Sequence, residues 1–399
     1  PLVHCILLQK ENPQTLLYQG SRPKRRRRIE MMRKNKEQRR ADGITDRGSD
    51  SLETMRPNKK QRLDGGSGSD EETSPYLVVG HGSVSPAFSV FKVEPYTDGG
   101  GDTPDRRWIV GVGGSSTENY YGPGTIIFDT EKQVVIRGPE PKSIKSHPIL
   151  LPIDQKIYAL SRSPSVKGPL DYLPWFEVLD LSQAQEVDGC LTNCKWSSLQ
   201  RPPFFPWELT PRQYLCPPRV AVKSYVAVGS HILVSVTGWV GTYAFDTKGS
   251  KKWVTVDDEN NLPFSDGAIP HGGGLFLGLS GTTKAINGYK INIGTRSLSV
   301  VEIPVVSDLE DEELVGRSHN FLSLGIDSGF CLVTCWSVDE SPYPPYHRAH
   351  IRVRTYRTDD FVESEGKCLV VSKQWMQVYK IHDLIRTLDA PCLVGVVYI

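Results

Sequence analysis

The sequence predicts an all-β protein, a β-propeller of about six four-stranded blades that follows a disordered basic N-terminal tail. Three observations predict it. Strand-length apolar runs outnumber helical patterns, 36 glycines and 29 prolines punctuate the 399 residues, and one four-strand pattern recurs along the chain. We therefore divide the chain into a tail, residues 1–74, and a propeller domain, residues 75–399.

The clearest repeat unit spans the 35 residues from Val222 to Val256. Tyr243 and Phe245 share one face of its third strand, and the Asp246 to Gly249 segment has the residues that a type I turn prefers. A four-stranded sheet of this size cannot bury both of its faces alone, so the unit needs copies on either side. Its expected strands are 224–228, 232–236, 243–245 and 253–256.

Copies of the unit are recognised by an aromatic or aliphatic residue near the end of the third strand. The intervals between these positions are 37, 51, 66, 46 and 65 residues. The shorter intervals match the roughly 40 to 50 residues of a WD40 or kelch blade, and the longer ones require loop insertions. A β-sandwich with similar strands is the alternative. The equivalent residues are Phe91, Phe128, Leu179, Phe245, Ile291 and Tyr356.

The ends of the domain are expected to close the ring. Propellers remove open sheet edges by completing one blade with strands from both termini. We predict that Tyr76–Val79 lies in the same blade as the C-terminal strands Trp375–Ile381 and Leu393–Tyr398, or in an adjacent one.

The longest stretch expected to be irregular runs from Cys190 to Pro218. It contains the aromatic and proline-rich sequence from Arg201 to Trp207. A propeller would place a binding loop here, although such a segment could equally cover the edge of a blade.

The N-terminal tail carries a charge of its own. Residues 1–74 hold 17 Lys/Arg and 11 Asp/Glu, a net of +6, whereas the remaining residues have a net of −5. With few apolar side chains to bury, the tail is expected to be disordered.

Two basic clusters in the tail are candidate nuclear import signals, because an import receptor holds an exposed and extended Lys/Arg run in an acidic groove. The alternatives are a solvated charge run and, less favoured, nucleic-acid binding, since the clusters lack interleaved aromatics. Ser67 and Ser69 precede an acidic run and are candidate phosphorylation sites, against the simpler interpretation of a polar linker. The import candidates are Lys24, Arg25, Arg26, Arg27, Arg28, Lys59, Lys60 and Arg62.

No catalytic, cofactor or metal motif stands out. The eight cysteines include no C-x-x-C pair, and Cys331 and Cys335 share one face of a strand, where they are expected to be buried. A zinc site from Cys190 and Cys194 with His347 and His350 lacks the usual spacing. The glycines after Trp108 resemble a phosphate-binding loop poorly, because no Lys-Ser/Thr follows.

No apolar run approaches the roughly 18 residues of a membrane span, and residues 2–8 lack the features of a secretory signal. No membrane partner is expected, and the cysteine pattern favours an intracellular, reduced protein.

The segment Val222–Phe264, together with the closing Val378–Leu384, resembles a grass-expanded plant family of uncharacterised proteins with a kelch-like or F-box-associated-like propeller. The resemblance covers residues 75–399 and implies a plant origin and a protein-interaction scaffold. It brings no catalytic residues. The chain shows no leucine-rich F-box helices before the propeller, which sets it apart from related ubiquitin-ligase adaptors.

These observations predict a non-enzymatic, monomeric binding module with an unidentified protein partner, an import receptor as the partner of the tail, and no cofactor. The expected location is the nucleus, with the cytoplasm as the alternative. Two other functions stay open. One is a hydrolase or oxidase with its site at the central channel, and the other is a substrate adaptor of a ubiquitin ligase.

Overall fold

The structure is a computed structural model of the 399-residue chain. Nearly all of the described residues belong to the segment expected to form the propeller. The described residues are 3–4, 75–81, 87–92, 108–112, 124–129, 132, 134–143, 145, 148–166, 171–294, 297–307, 318–325, 329–337, 348–362, 368–382 and 392–398.

Strands make up almost all of the regular structure in this part of the chain. The first half contains β1 Val3–His4, β2 Pro75–His81, β3 Ala87–Lys92, β4 Trp108–Val112, β5 Thr125–Asp129, β6 Val134–Arg137, β7 Ile149–Ile153, β8 Lys156–Leu160, β9 Phe176–Asp180, β10 Gln185–Val187, β11 Cys190–Thr192 and β12 Trp196–Ser198. A short helix, α1 Pro211–Leu215, follows. The second half contains β13 Val222–Val228, β14 His231–Val236, β15 Thr242–Asp246, β16 Trp253–Asp257, β17 Phe264–Gly272, β18 Leu275–Ser280, β19 Ile286–Ile293, β20 Leu298–Ser307, β21 Ser318–Gly325, β22 Gly329–Ser337, β23 Arg348–Val362, β24 Cys368–His382 and β25 Cys392–Tyr398.

The repeat unit predicted between Val222 and Val256 is confirmed. Strands β13 to β16 form an antiparallel sheet in chain order, with Val226 opposite Leu233 and Phe245 opposite Trp253. The predicted turn after β15 is also present. The carboxylate of Asp246 accepts hydrogen bonds from the backbone N–H groups of the three residues 248–250, which lowers the pKa of that carboxyl to about 2.

The same arrangement recurs in neighbouring sheets. Strands β7, β8, β9 and β12 form one unit, β17 to β20 another, and β21 to β24 a third. The six positions proposed as equivalent lie on β3, β5, β9, β15, β19 and β23, each of which is the third strand of its group. Five of those side chains are buried, namely Phe128, Leu179, Phe245, Ile291 and Tyr356, and the side chain of Phe91 lies outside the described set.

The hydrophobic cores lie between consecutive sheets. One core joins the β4–β6 sheet to the β7–β9 sheet, and the next joins β7–β9 to β13–β16. Two more cores continue the series through β17–β20 to β21–β24. Sheets that pack face to face in chain order, each repeating one antiparallel pattern, define a β-propeller.

Neighbouring sheets also meet at their inner strands. Strand β13 pairs in parallel with β17, where Ser224 faces Asp266 and Tyr225 faces Gly267. The Ser224 hydroxyl donates a hydrogen bond to the backbone carbonyl of Phe264. A Cβ at position 267 would lie 2.9 Å from ring atoms of Tyr225, so any larger residue there would displace that ring.

The two ends of the domain share a sheet, as the sequence predicted. Strand β25 pairs antiparallel with β2, from Pro75 opposite Tyr398 to Gly80 opposite Cys392, and β2 pairs in turn with β3. The other predicted C-terminal segment, 375–381, belongs to β24.

Two parts of the structure differ from the prediction. The stretch expected to be irregular, 190–218, contains β11, β12 and α1, and the β10–β11 hairpin extends the β4–β6 sheet through a parallel contact with β6. Residues Val3 and His4, placed in the expected disordered tail, pair in parallel with Ile109 and Val110 of β4. The remaining tail residues lie outside the described set.

The expected count of about six blades stays a prediction, because the sheets that contain β2 and β4 depart from the four-stranded antiparallel pattern.

Candidate interaction site

The connection from β12 to β13, residues 199–221, covers the seam between two neighbouring sheets. It begins where the backbone N–H of Leu199 bonds to the carbonyl of Phe176, and it ends where Val222 bonds to the carbonyl of Arg162. Both anchoring residues belong to, or directly follow, the β7–β9 sheet. The connection is therefore fixed at both ends to the sheet that it leaves.

Two phenylalanines anchor this connection in the core. Phe204 is buried, with its ring centroid 4.8 Å from that of Tyr243 and 5.4 Å from that of Trp253. Phe205 is also buried and meets the indole of Trp175 edge-on at 5.6 Å. Both rings add apolar area to the core between the β7–β9 and β13–β16 sheets. They therefore hold the β12–β13 connection against these two sheets.

Polar contacts fix the backbone beside these anchors. The indole N–H of Trp253 donates to the backbone carbonyl of Gln200 at 3.1 Å, and the Trp253 backbone N–H donates to the Gln200 side chain at 3.3 Å. The backbone N–H of Phe205 bonds to the carbonyl of Pro202 at 3.2 Å and forms a tight turn. This turn brings Arg201 back over Trp207.

Trp207 is the exposed aromatic residue of this turn. Its side chain is 40% exposed, although the ring of Trp175 supports it edge-on at a centroid distance of 6.0 Å. Trp175 is fully buried and donates its indole N–H to the carbonyl of Ser165. The guanidinium of Arg201 lies 4.1 Å from the Trp207 ring centroid, within the range of a cation–π contact. Trp175 and Arg201 therefore both contact the indole while it faces solvent.

An open groove of about 410 Å³ lies against Trp207. Among the described residues, Arg201 and Glu208 form no ion pair, and the indole N–H of Trp207 has no hydrogen-bond partner. The groove thus combines aromatic and proline residues with the polar side chains of Gln200, Arg201 and Glu208. Its lining residues are Gln200, Arg201, Pro202, Pro203, Phe205, Trp207 and Glu208.

A second exposed surface lies at the end of β14. Trp239 and Val240 are 57% and 64% exposed in the turn between β14 and β15. The preceding Thr237 binds Ala221 at the end of the β12–β13 connection, through two hydrogen bonds of 2.8 and 3.0 Å. The turn and the connection are therefore joined at one edge of the sheet.

Helix α1 interrupts the connection and presents further apolar surface. Thr210 caps it in a capping box with Gln213, and Pro211 occupies the first turn. Tyr214 and Leu215 are exposed on this helix.

A buried ion pair connects the segment before β7 to strand β9. Lys145 and Glu177 are fully enclosed and in direct contact, and the Lys145 ammonium also donates to the hydroxyl of Ser143 at 2.9 Å. The backbone N–H of Lys142 donates to Glu177 at 2.9 Å. Burial lowers the pKa of Lys145, and the Glu177 carboxylate opposes this effect. The pair joins the connection before β7 to strand β9, so its role is structural.

A charged pair joins the segment after β8 to β17. Arg162 contacts Asp266 at 3.0 Å, and its guanidinium lies 5.8 Å from the ring centroid of Tyr225. Burial raises the pKa of the Tyr225 hydroxyl. On β17, His271 is buried and lies 3.1 Å from the Ser323 hydroxyl, so its role is structural.

The predicted functional residues of the tail are not among those that the structure describes. The import candidates at 24–28, 59, 60 and 62, and the phosphorylation candidates Ser67 and Ser69, lie outside the described residues. Cys331 and Cys335 are buried as predicted.

In the described part of the chain, no group of three or more His, Cys, Asp or Glu side chains is placed to hold a metal ion. Cys190, Cys194 and His350 belong to that part, whereas His347 lies outside it. Within the same residues, no helix is long and apolar enough to cross a membrane.

Sequence reasoning indicated the loop but not the pair of residues that organises it. Arg201 and Trp207 are six residues apart, and they meet because the Pro202–Phe205 turn reverses the chain. A run of prolines and aromatics signals a rigid loop, but it does not reveal which ring is buried and which is exposed.

The fold and the groove define a β-propeller protein with a surface aromatic site between two of its sheets. A family model described as "Protein of unknown function (DUF1668)" matches residues 80–379, and the chain belongs to this family. A search of curated proteins finds no match. Among solved structures, the chain is similar to the WD40 domain of SCAP from fission yeast, with 9% sequence identity, a TM-score of 0.26, and coverage of 75% of this chain and 69% of that one.

Proposed function

We propose that the protein is a non-enzymatic protein-interaction scaffold of a plant cell, that it works in the nucleus, and that it binds its partner at the Trp207 groove. A propeller supports such a role because its packed sheets hold surface loops in fixed positions. The tail supports the nuclear location, since it contains the two basic clusters at 24–28 and 59–62.

The observation that carries this proposal is the pre-organised exposure of Trp207. Tryptophan and arginine are the residues that most often dominate binding energy at protein interfaces. Here Trp175 supports the indole from behind, and Arg201 covers part of it at 4.1 Å. Because the ring is already ordered, a partner would lose little side-chain entropy on binding to it.

Proximity labelling in plant nuclei tests the binding role. The full chain fused to a labelling enzyme is compared with Trp207→Ala and with the matched control Trp239→Ala, which removes a more exposed indole from another turn. We expect Trp207→Ala to deplete a set of labelled proteins that Trp239→Ala retains. A labelled set that does not change with Trp207→Ala would contradict the proposal.

The location is tested separately. Residues 1–74 are fused to a fluorescent reporter too large to diffuse through the nuclear pore, and Arg25–Arg28 and the Lys59, Lys60, Arg62 cluster are neutralised separately and together. We expect nuclear fluorescence that is lost when both clusters are neutralised. A cytoplasmic reporter with the intact tail would show that the basic residues are only a solvated charge run.

A further inference from the structure

The groove beside Trp207 is lined by aromatic, proline and charged residues. The groove is lined by the indole, the buried Pro202 and the exposed Pro203. The proline rings fix the backbone φ angle and make this part of the lining rigid. Aromatic-lined grooves of this kind recognise polyproline II segments, because such a ligand is already extended and loses little entropy on binding.

The indole N–H of Trp207 has no hydrogen-bond partner among the described residues and is free to donate to such a ligand. A polyproline II segment forms no internal hydrogen bonds, so its backbone carbonyls are free to accept one. A helix or a sheet strand would instead present carbonyls that are already bonded. The donor therefore favours an extended ligand over a helical one.

Arg201 adds a charge preference. Its guanidinium stacks over the indole, and this arrangement leaves in-plane N–H donors free for a carboxylate. Since Arg201 has no ion pair among the described residues, a ligand carboxylate would not compete with a partner there. Glu208 lines the same groove and would repel a second carboxylate near it, so the acidic end of the ligand should face Arg201.

We infer that the Trp207 groove binds a proline-containing, polyproline II segment of a partner protein that carries an acidic residue beside its prolines. This inference rests on the proposed function and specifies the class of partner. The groove volume of about 410 Å³ lies in the range of small-ligand pockets and suits a few residues of an extended chain.

The test measures fluorescence polarisation of a labelled decapeptide with a Pro-x-x-Pro core preceded by one Asp, titrated with the full chain. Two matched peptides replace the prolines with alanine or the aspartate with lysine. We expect the first peptide to bind and each matched peptide to bind at least about tenfold more weakly. The inference is overturned if the alanine peptide binds equally well, or if the first peptide fails to bind at about 1 mM protein.

Protein variants locate the site. Trp207→Ala and Arg201→Glu should each weaken binding of the acidic peptide about tenfold or more, whereas Trp239→Ala should leave it unchanged. Thermal unfolding of each variant controls for folding, and Arg201→Glu changes only an exposed side chain. Equal weakening by Trp239→Ala would overturn the assignment. If no peptide binds while nuclear labelling still depends on Trp207, the scaffold function stands and the peptide class is wrong.

Discussion

Phe245 shows how a single side chain joins two sheets of the propeller. Its ring is fully buried, and its centroid lies 4.9 Å from Phe176 of the preceding sheet and 5.2 Å from Trp253 of its own. Because it packs edge-on against Phe176, it contributes an aromatic contact in addition to buried area. The ring is therefore part of the contact between sheets.

Replacing Phe245 with alanine should lower the free energy of unfolding by about 3 to 5 kcal/mol, the usual cost of deleting a buried ring. Chemical denaturation measures the loss. Val254→Ala on the adjacent strand is the control, since Val254 is 42% exposed and its truncation should cost about 0.5 kcal/mol or less. A loss as small for Phe245→Ala as for the control would contradict the packing.

The Lys145–Glu177 pair provides a test of buried charge. Glu177→Gln leaves the enclosed ammonium without its counter-ion and should destabilise the fold by about 3 to 5 kcal/mol. The double change Lys145→Met with Glu177→Leu removes both charges and should cost less than the single change. Lys156→Met, which breaks the exposed pair with Asp180, is the control and should cost about 1 kcal/mol or less.

His271 should make stability depend on pH. Burial lowers the pKa of its imidazole below the ordinary value of 6.5, so the unfolded chain binds a proton in a range where the folded chain does not. Stability should therefore be fully present above about pH 6.5 and should decrease as the pH falls from there toward the folded-state pKa. His271→Gln should reduce this slope in urea unfolding measured between pH 8 and pH 5, and an unchanged slope would contradict the assignment.

At the scale of the strands, local signals were sufficient to define the repeat. The unit between Val222 and Val256 was predictable because glycines and Asp246 mark its turns, while alternating apolar residues mark its buried faces. The third-strand position was predictable for the same reason, since a large buried residue recurs there.

Some pairings between distant strands could not be predicted, although that of β25 with β2 was predicted from ring closure. The β10–β11 hairpin pairs in parallel with β6 through Cys190 and Arg137, a contact that depends on how two sheets meet and not on local pattern. The Trp207 groove is a similar case. Its exposed ring differs from the buried Phe205 only through tertiary packing, and the sequence shows both simply as aromatic residues.

Gly329, the first residue of β22, gives a prediction at the scale of the strands. Gly329 has φ +86°, and a Cβ there would lie 1.8 Å from the backbone oxygen of Tyr356 on the neighbouring strand. Gly189 also has a positive φ, of +72°, but a Cβ there would meet nothing within 4 Å. Gly189→Ala should therefore cost only the backbone strain of about 1 to 2 kcal/mol, while Gly329→Ala should cost clearly more. Equal losses of unfolding free energy for the two variants, measured with denaturant, would show that the β22–β23 backbone contact can shift at little energetic cost.

At the scale of the whole molecule, closure is the property that distinguishes this fold from an open stack of sheets. Strand β25 comes from the last residues of the chain, yet it pairs with β2 at the start of the domain. This pairing covers one edge of β2 while β3 covers the other. Without β25, the N–H and C=O groups along one side of β2 would be free to pair with another chain.

Deleting residues 392–399 should therefore abolish cooperative unfolding and cause association, because the exposed edge of β2 is a template for further strands. Thermal unfolding and light scattering measure the two effects. A synthetic peptide of residues 392–399 supplied in trans should restore the transition by pairing with β2 in the register of Pro75 opposite Tyr398, whereas a scrambled peptide of the same composition should not. A truncated chain that stays monomeric and unfolds at the same midpoint would show that the terminal strands do not hold the ring together.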